Sequence, residues 1–329
     1  MTPPPDAAVE RFRATFRRLR PTDREAPVVV AVSGGADSLA LLLLVHGEIG
    51  AGCLAATVDH GLRPEAAQEA AYVAGLCAGR GISHVTLRDA LPDRAGATAN
   101  VSARARALRY RLLETYRARA GAAWIATAHH ADDQVETLVM RLNRGAGVGG
   151  LAGIRETNGC VIRPLLEWRR DTLAGIVAAA GWEAVEDPSN SDERYDRARL
   201  RASLGGVDWL DREQVAFSAH NLAAADEALD WAADDLFARQ CRGDAAGVSY
   251  VWRAAPRELQ WRLVARCVRA VAPESAPGKA ALVRTALALL RGERVTVADV
   301  LCSVRRMPQE DGGIAALWRF ERAPPRRSH

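Results

Sequence analysis

Cysteine is sparse and scattered in this chain. Its six cysteines, Cys53, Cys77, Cys160, Cys241, Cys267 and Cys302, form no CxxC pair and match no zinc-ligand spacing. A cysteine-held metal module and a disulfide framework are thereby excluded, and a reducing, cytoplasmic setting is expected. Long apolar runs are missing too. The longest, Leu39–Val45, falls far short of the roughly 20 residues that cross a bilayer, so no membrane association is expected. The opening MTPPPDAAVERFRATFRRLR is charged and proline-marked, without the apolar stretch of a signal peptide. Lysine is almost absent: Lys279 stands alone among 44 basic residues. The other basic residues are arginines, whose planar fork suits phosphate. GxxxxGKS/T and HExxH are absent, which excludes a Walker-type NTPase and a zincin protease. A net charge of +4 fits a polyanionic partner without demanding one.

What is present reads as alternating strands and helices. Strands are expected at 28–32, 54–58, 84–87 and 124–128, and helices at 37–48, 65–79, 100–119 and 132–143. That alternation predicts an α/β domain with a parallel, Rossmann-like sheet covered on both faces. Helices are expected again at 169–181, 212–239 and 256–292, with short strands at 295–304 and 314–320. The organisation expected is an N-terminal helical extension over 1–27, a catalytic domain over 28–207 and a smaller, mostly helical domain over 208–329.

Three unusual stretches fall at carboxyl ends of strands, where open parallel sheets bind ligands. They are SGGADS (33–38), VDHGLR (58–63) and AHHADDQ (128–134). In the first, a β-branched run stops at Ser33-Gly34-Gly35 before a helix. Such a corner aims unpaired backbone N–H groups at an anion, and glycine lets a phosphate approach closely. The corner itself is neither GxxxxGKS/T nor GxGxxG. Asp37 stands where a cation might be expected, and an acid beside phosphates points to a bridging Mg²⁺. Read alone, Asp37 could merely cap the helix.

Where the third stretch runs on as AHHADDQVETLVMRLNRG (128–145), His129, Asp133 and Glu136 share a helix face, and His130 lies near Asp133. Two carboxylates and an imidazole at a strand end could hold a metal or move a proton. Capping by Asp132 and a core histidine are the plainer readings. On the helix over 100–119, Arg109 falls inside an apolar stripe made by Ala105, Leu108, Leu112, Leu113 and Tyr116. A core-facing arginine needs a partner or an anion, unless it snorkels. The tryptophans of the later part could stack a base, but core packing is the simpler role.

SGGADS resembles the pyrophosphate-loop motif of ATP pyrophosphatases. Together with VDHGLR, ARALRY (105–110), HHADDQVETLVMRLNRGAG (129–147), RPLL (163–166) and EDPSNSDERYDRARLR (186–201), in that order, it resembles the tRNA(Ile)-lysidine synthetase family. The resemblance covers residues 28–201. It departs at Arg197-Ala198, where the family reads RN before its last arginine pair, and at Ser102, where an acid often stands.

The resemblance implies a two-step ligase reaction. ATP, with Mg²⁺, adenylates C2 of the wobble cytidine of a CAU-anticodon tRNA(Ile). The ε-amine of free L-lysine then displaces AMP. Ser33, Gly34, Gly35, Ala36, Asp37, Ser38, Asp59 and His60 would bind ATP, with Asp37 holding Mg²⁺. Asp37, Asp133 and Glu136 would be catalytic. Arg109, His130, Arg163, Arg197 and Arg201 would meet substrate or tRNA phosphates. The last domain would contact tRNA. A homodimer is left open by the sequence. The rival reading is another tRNA-modifying enzyme with the same loop, such as a 2-thiolase, but that chemistry usually wants paired cysteines.

Overall fold

The computed structural model describes residues 6–23, 25–59, 61, 65–89, 101–185, 196–253, 255–308 and 314–324. Two compact units, Met1–Ala223 and Ala224–His329, divide within one long helix.

The first unit opens with α1 (Asp6–Arg18), β1 (Val28–Ala31), α2 (Ala36–Ile49), β2 (Cys53–Asp59), α3 (Glu65–Ala78) and β3 (Ser83–Arg88). It continues with α4 (Val101–Arg119), β4 (Trp124–Ala126), α5 (Ala131–Leu142) and a short α6 (Val148–Leu151). Then come β5 (Thr157–Asn158), β6 (Val161–Ile162), α7 (Arg170–Ala179), α8 (Asp196–Gly205) and the start of α9 (Arg212–Gln240). The sheet order is β3-β2-β1-β4-β6-β5, parallel except for the edge pair β5–β6.

β1 is central, and its Val28-Val29-Val30 run is fully buried because helices cover both faces. Side-chain alternation divides the core. Val28 and Val30 face a layer that includes Phe12, Phe16, Leu39, Leu42, Val73 and Leu173, from α1, α2, α3 and α7. Val29 faces the other way, with Ala56, Ile125, Val161 and Leu113 of α4. Chain direction across the sheet reverses around β1: β2 and β3 lie on one side, β4 and β6 on the other. A crevice therefore opens between the carboxyl ends of β1 and β4, the place where such sheets receive ligands.

The second unit contains the rest of α9, then β7 (Cys241–Asp244), β8 (Gly247–Val251), α10 (Arg257–Val271), α11 (Lys279–Leu290), β9 (Val295–Val297), β10 (Val300–Pro308) and β11 (Ile314–Arg322). Its sheet is antiparallel, ordered β7-β8-β11-β10-β9. This modifies the mostly helical expectation: helices pack on a five-stranded sheet. The strand expected at 314–320 is there, two residues longer, whereas the one expected at 295–304 is split: Ala298 and Asp299, both at positive φ, turn the chain so that β9 pairs antiparallel with β10. β7 and β8 were not expected from the sequence. The core here is Leu263, Val264, Val268, Leu289, Trp318 and Phe320, among others.

Candidate active site

The corner after β1 is a tight, internally bonded loop. Gly34 has φ +88°, a conformation that side chains disfavour, and an added Cβ would lie 3.3 Å from Val185 Cγ2. The Gly34 carbonyl accepts the Val185 N–H at 2.9 Å. Ser38 turns inward: its Oγ accepts the Ser33 N–H at 3.1 Å and donates to the Gly35 carbonyl at 2.9 Å. Ser33 N–H is thus spent on the loop itself, which removes it from the set of N–H groups expected to cradle phosphate. The N–H groups of Ala36, Asp37 and Ser38, in the first turn of α2, precede the first intrahelical bond, Leu39 N–H to Gly35 O. N–H groups so placed, without an intrahelical acceptor, can meet an anion.

The chain leaving β4 supplies the opposite wall. His130 is 4% exposed. Its Nε2 lies 3.4 Å from Asp37 Oδ2 and 3.5 Å from Asp133 Oδ2, and its Nδ1 lies 3.4 Å from Asp132 Oδ2. Burial alone would make the imidazole less basic, but the carboxylates of Asp132, Asp37 and Asp133 outweigh it and push the pKa up to about 10. These carboxylates favour the protonated ring, which lies between the acid of the glycine corner and the helix after β4. Its neighbour behaves oppositely. Burial takes His129 down to about 4, with Arg163, Arg106 and Arg197 adding to the effect against Asp133. His129 is neutral, its Nδ1 3.1 Å from Thr127 Oγ1.

α5 begins at Ala131 with His130, not Asp132, at the N-cap. The Asp133 carboxylate accepts the His130 N–H at 3.1 Å. Asp132 instead accepts the Arg170 N–H at 3.2 Å and pairs with Arg212 Nε at 2.9 Å. Burial would raise the Asp132 carboxyl, but His130, the Arg170 N–H and Arg212 hold it at about 2.

α8 brings two arginines onto the acids of α5. Arg197 spans Glu136 (2.5 Å) and Asp133 (2.7 Å), and Arg201 meets Glu136 at 2.6 and 3.2 Å. Glu136 is buried. The predicted carboxylates and the predicted phosphate-binding arginines thus occupy one another in this structure.

Between these walls lies a cavity of about 370 Å³. Ser33, Gly35, Asp37, Ser38, His130, Asp133, Arg109, Arg197 and Arg201 line it, all expected from the sequence. Arg106, Tyr110, Thr127, His129 and Arg170 join them. Five arginines against two aspartates give a lining suited to a polyphosphate. Arg109 is exposed and turned to the cavity, so it is not a core arginine. Glu136 borders a smaller adjoining space with Asp132, Arg170 and Arg212.

Other expected residues stand apart from the cavity lining. Asp59 accepts the Gly61 N–H at 3.0 Å and meets Arg88 at 3.3 Å. Arg163 is buried with its guanidinium on the Arg155 carbonyl at 2.8 Å. Gly34 and Ala36 shape the loop. His60 and residues 186–195 of the EDPSN stretch lie outside the described residues. Sequence reasoning missed Arg106 and Arg170. Arg106 lay within the quoted ARALRY, and its guanidinium sits over the Tyr110 ring at 5.1 Å. Arg170 had no motif to mark it. Among the tryptophans, Trp168 and Trp318 are core, whereas Trp209 and Trp231 are exposed.

A PP-loop domain model matches residues 8–207 of the chain. A tRNA(Ile)-lysidine synthase of Novosphingobium aromaticivorans is 44% identical over 98% of this chain and 95% of its own length. The chain belongs to the tRNA(Ile)-lysidine synthase family. A second relative of that name, from Zymomonas mobilis, is 38% identical over 91% of this chain and 89% of its own. Among solved structures, a U34-tRNA thiolase from Methanococcus maripaludis superposes with a TM-score of 0.53 at 16% identity, covering 65% of this chain and 78% of that one. At that identity it shows the shared fold alone. Family membership makes this chain an ATP-using PP-loop ligase.

Proposed function

We propose that this chain is a tRNA(Ile)-lysidine synthase: it adenylates C2 of the wobble cytidine of a CAU-anticodon tRNA(Ile) and joins the lysine ε-amine there, releasing AMP and pyrophosphate. The observation that carries this reading is the meeting of SGGADS and HHADD across one arginine-lined cavity in a chain of that family.

The residues fit the two steps. The α2 N-terminus and the lining arginines would hold the ATP phosphates. Asp37 suits Mg²⁺, because its Oδ1 is buried with no hydrogen-bond partner. The ion would screen phosphate charge when bound. His130 would keep Asp37 aimed at the phosphates. Asp133 and Glu136 would receive the lysine ammonium by exchange against Arg197, the more exposed of the two arginines. Losing the lysine proton at pH 7 costs about 4.6 kcal/mol in water, so a carboxylate that takes or passes that proton lowers the barrier to attack. Arg109 and the two α8 arginines would stabilise charge on the activated base. The second unit would contact tRNA. No helix among the described residues is long and apolar enough to cross a membrane, in keeping with a cytoplasmic enzyme.

The test is incubation with ATP, Mg²⁺, labelled lysine and a CAU-bearing tRNA(Ile) transcript, beside Asp37→Ala. Lysine incorporation that the variant loses is the expected result. ATP cleaved to AMP on adding tRNA, without lysine incorporation, would assign the acceptor to another nucleophile.

A further inference from the structure

Cys241 opens β7 and Cys267 lies on α10, both within the second unit. Their Sγ atoms are 3.7 Å apart. A disulfide needs about 2.05 Å, and Cys241 stands at the start of a four-residue edge strand. Cys267 is fully buried, but Cys241 is not sealed in. A cavity of about 520 Å³ reaches it between the β7–β8 turn and the end of α10, lined also by Phe237, Gly243, Asp244 and Val271.

The other thiols lack this setting. Burial pushes Cys53 and Cys302 up to about 12 and Cys77 to about 11. Burial and the Glu114 carboxylate raise Cys160. Cys241 alone of the six goes the other way: the Cys267 thiol beside it and the Arg242 charge favour its thiolate against burial. The thiolate is the nucleophilic form.

We propose that Cys241 and Cys267 are an oxidisable dithiol, a modification site at which a hydroperoxide closes a disulfide between β7 and α10. The Cys241 sulfur attacks hydrogen peroxide, breaking its O–O bond, and becomes a sulfenic acid with release of one water. The Cys267 sulfur then attacks the sulfenic sulfur. An S–S bond forms, the S–OH bond breaks, and the Cys267 proton leaves with the hydroxyl as a second water. Peroxide is reduced by two electrons and the thiol pair is oxidised by two. A dithiol reductant reverses the change.

The experiment treats the native full-length protein with hydrogen peroxide, blocks remaining thiols with N-ethylmaleimide in denaturant, and maps the peptides. The expected result is a Cys241–Cys267 cross-linked peptide, loss of two of the six thiols and about 2 Da of mass, all restored by dithiothreitol. In Cys267→Ser, dimedone should trap a sulfenic acid at Cys241. The wild-type peptide map is decisive even if that variant folds poorly. Oxidation of Cys160 while Cys241 and Cys267 both stay alkylatable would overturn the proposal. So would a cross-link that forms only where denaturant has already abolished the near-ultraviolet circular dichroism.

Discussion

Arg201 lies side-on to Glu136, its Nε 2.6 Å from Oε1 and its terminal nitrogen 3.2 Å from Oε2. The pair pins α8 to α5 beside the cavity. With Arg197 on the same carboxylate, the buried acid is neutralised without a ligand. Glu136→Gln keeps the shape and removes the charge. Lysine incorporation should fall by a factor of about 10² or more, while tRNA-dependent ATP consumption falls less. Stability should drop by roughly 1–3 kcal/mol, below the usual cost of breaking a buried pair because both arginines reach solvent. Urea denaturation and single-turnover assays read the two effects. Unchanged incorporation would remove Glu136 from lysine handling.

Two adjacent histidines should give opposite limbs to the stability–pH curve of the metal-free protein. His130 is raised in the fold to about 10, so its contribution is full below pH about 6.5 and is lost as pH rises through about 10. His129 is depressed to about 4, so its contribution is present above pH about 6.5 and is lost as pH falls through about 4. Urea midpoints measured in chelator across pH 4 to 10 should show His130→Gln flattening the alkaline limb and His129→Gln the acid limb. A single limb altered by both variants would mean that the two rings titrate as one group.

Gly34→Ala tests the corner. A positive φ costs an L-residue about 1–2 kcal/mol, and the new methyl meets Val185 Cγ2 at 3.3 Å. Loss of stability in that range is expected, with weaker ATP binding by calorimetry, because the loop must shift away from Val185. Val185→Ala on the same background should relieve the contact but not the backbone strain. Full recovery in the double variant would show that φ is not the constraint.

The parallel sheet was legible because strand-length and helix-length segments alternate and its central strand is a short buried β-branched run ended by glycine. VVVAV followed by SGG fixes a strand, its end and the helix start in consecutive residues. The site was legible where chemistry is packed into short strings, as at Asp37, His130 and Asp133. It was less legible where long-range pairing decides. Nothing local says that Arg197 and Arg201 close on Glu136, more than sixty residues away in sequence, or that Arg170 and Arg212 meet Asp132. The β7–β8 hairpin escaped for a different reason. CRGD is short and polar, and it becomes a strand through its pairing with GVSYV, whose buried Val248 and Tyr250 face the core of the second unit.

That unit carries its own buried charge, and this yields a last prediction. Arg262 is 3% exposed, with Asp226 at 2.5 Å, Asp230 at 2.8 Å and Glu258 at 3.0 Å, and its guanidinium sits over Trp261. Desolvation works against the cation, but three carboxylates more than offset it and raise its pKa. Arg262→Ala would leave buried Asp226 without this partner, at a cost of roughly 3–5 kcal/mol. Because the loss includes the Arg262–Asp226 ion pair as well as packing, Asp226→Asn on that background should recover part of it, and Arg262→Met should cost less than Arg262→Ala. Thermal unfolding of the four proteins at pH 7, then at pH 4, separates the causes. Arg262 helps hold the Asp230 and Glu258 carboxyls below their usual range, a stabilisation lost as pH falls and those groups protonate, so the Arg262→Ala deficit should shrink at the lower pH. A deficit equal at both values would place the cost in packing around Trp261 instead.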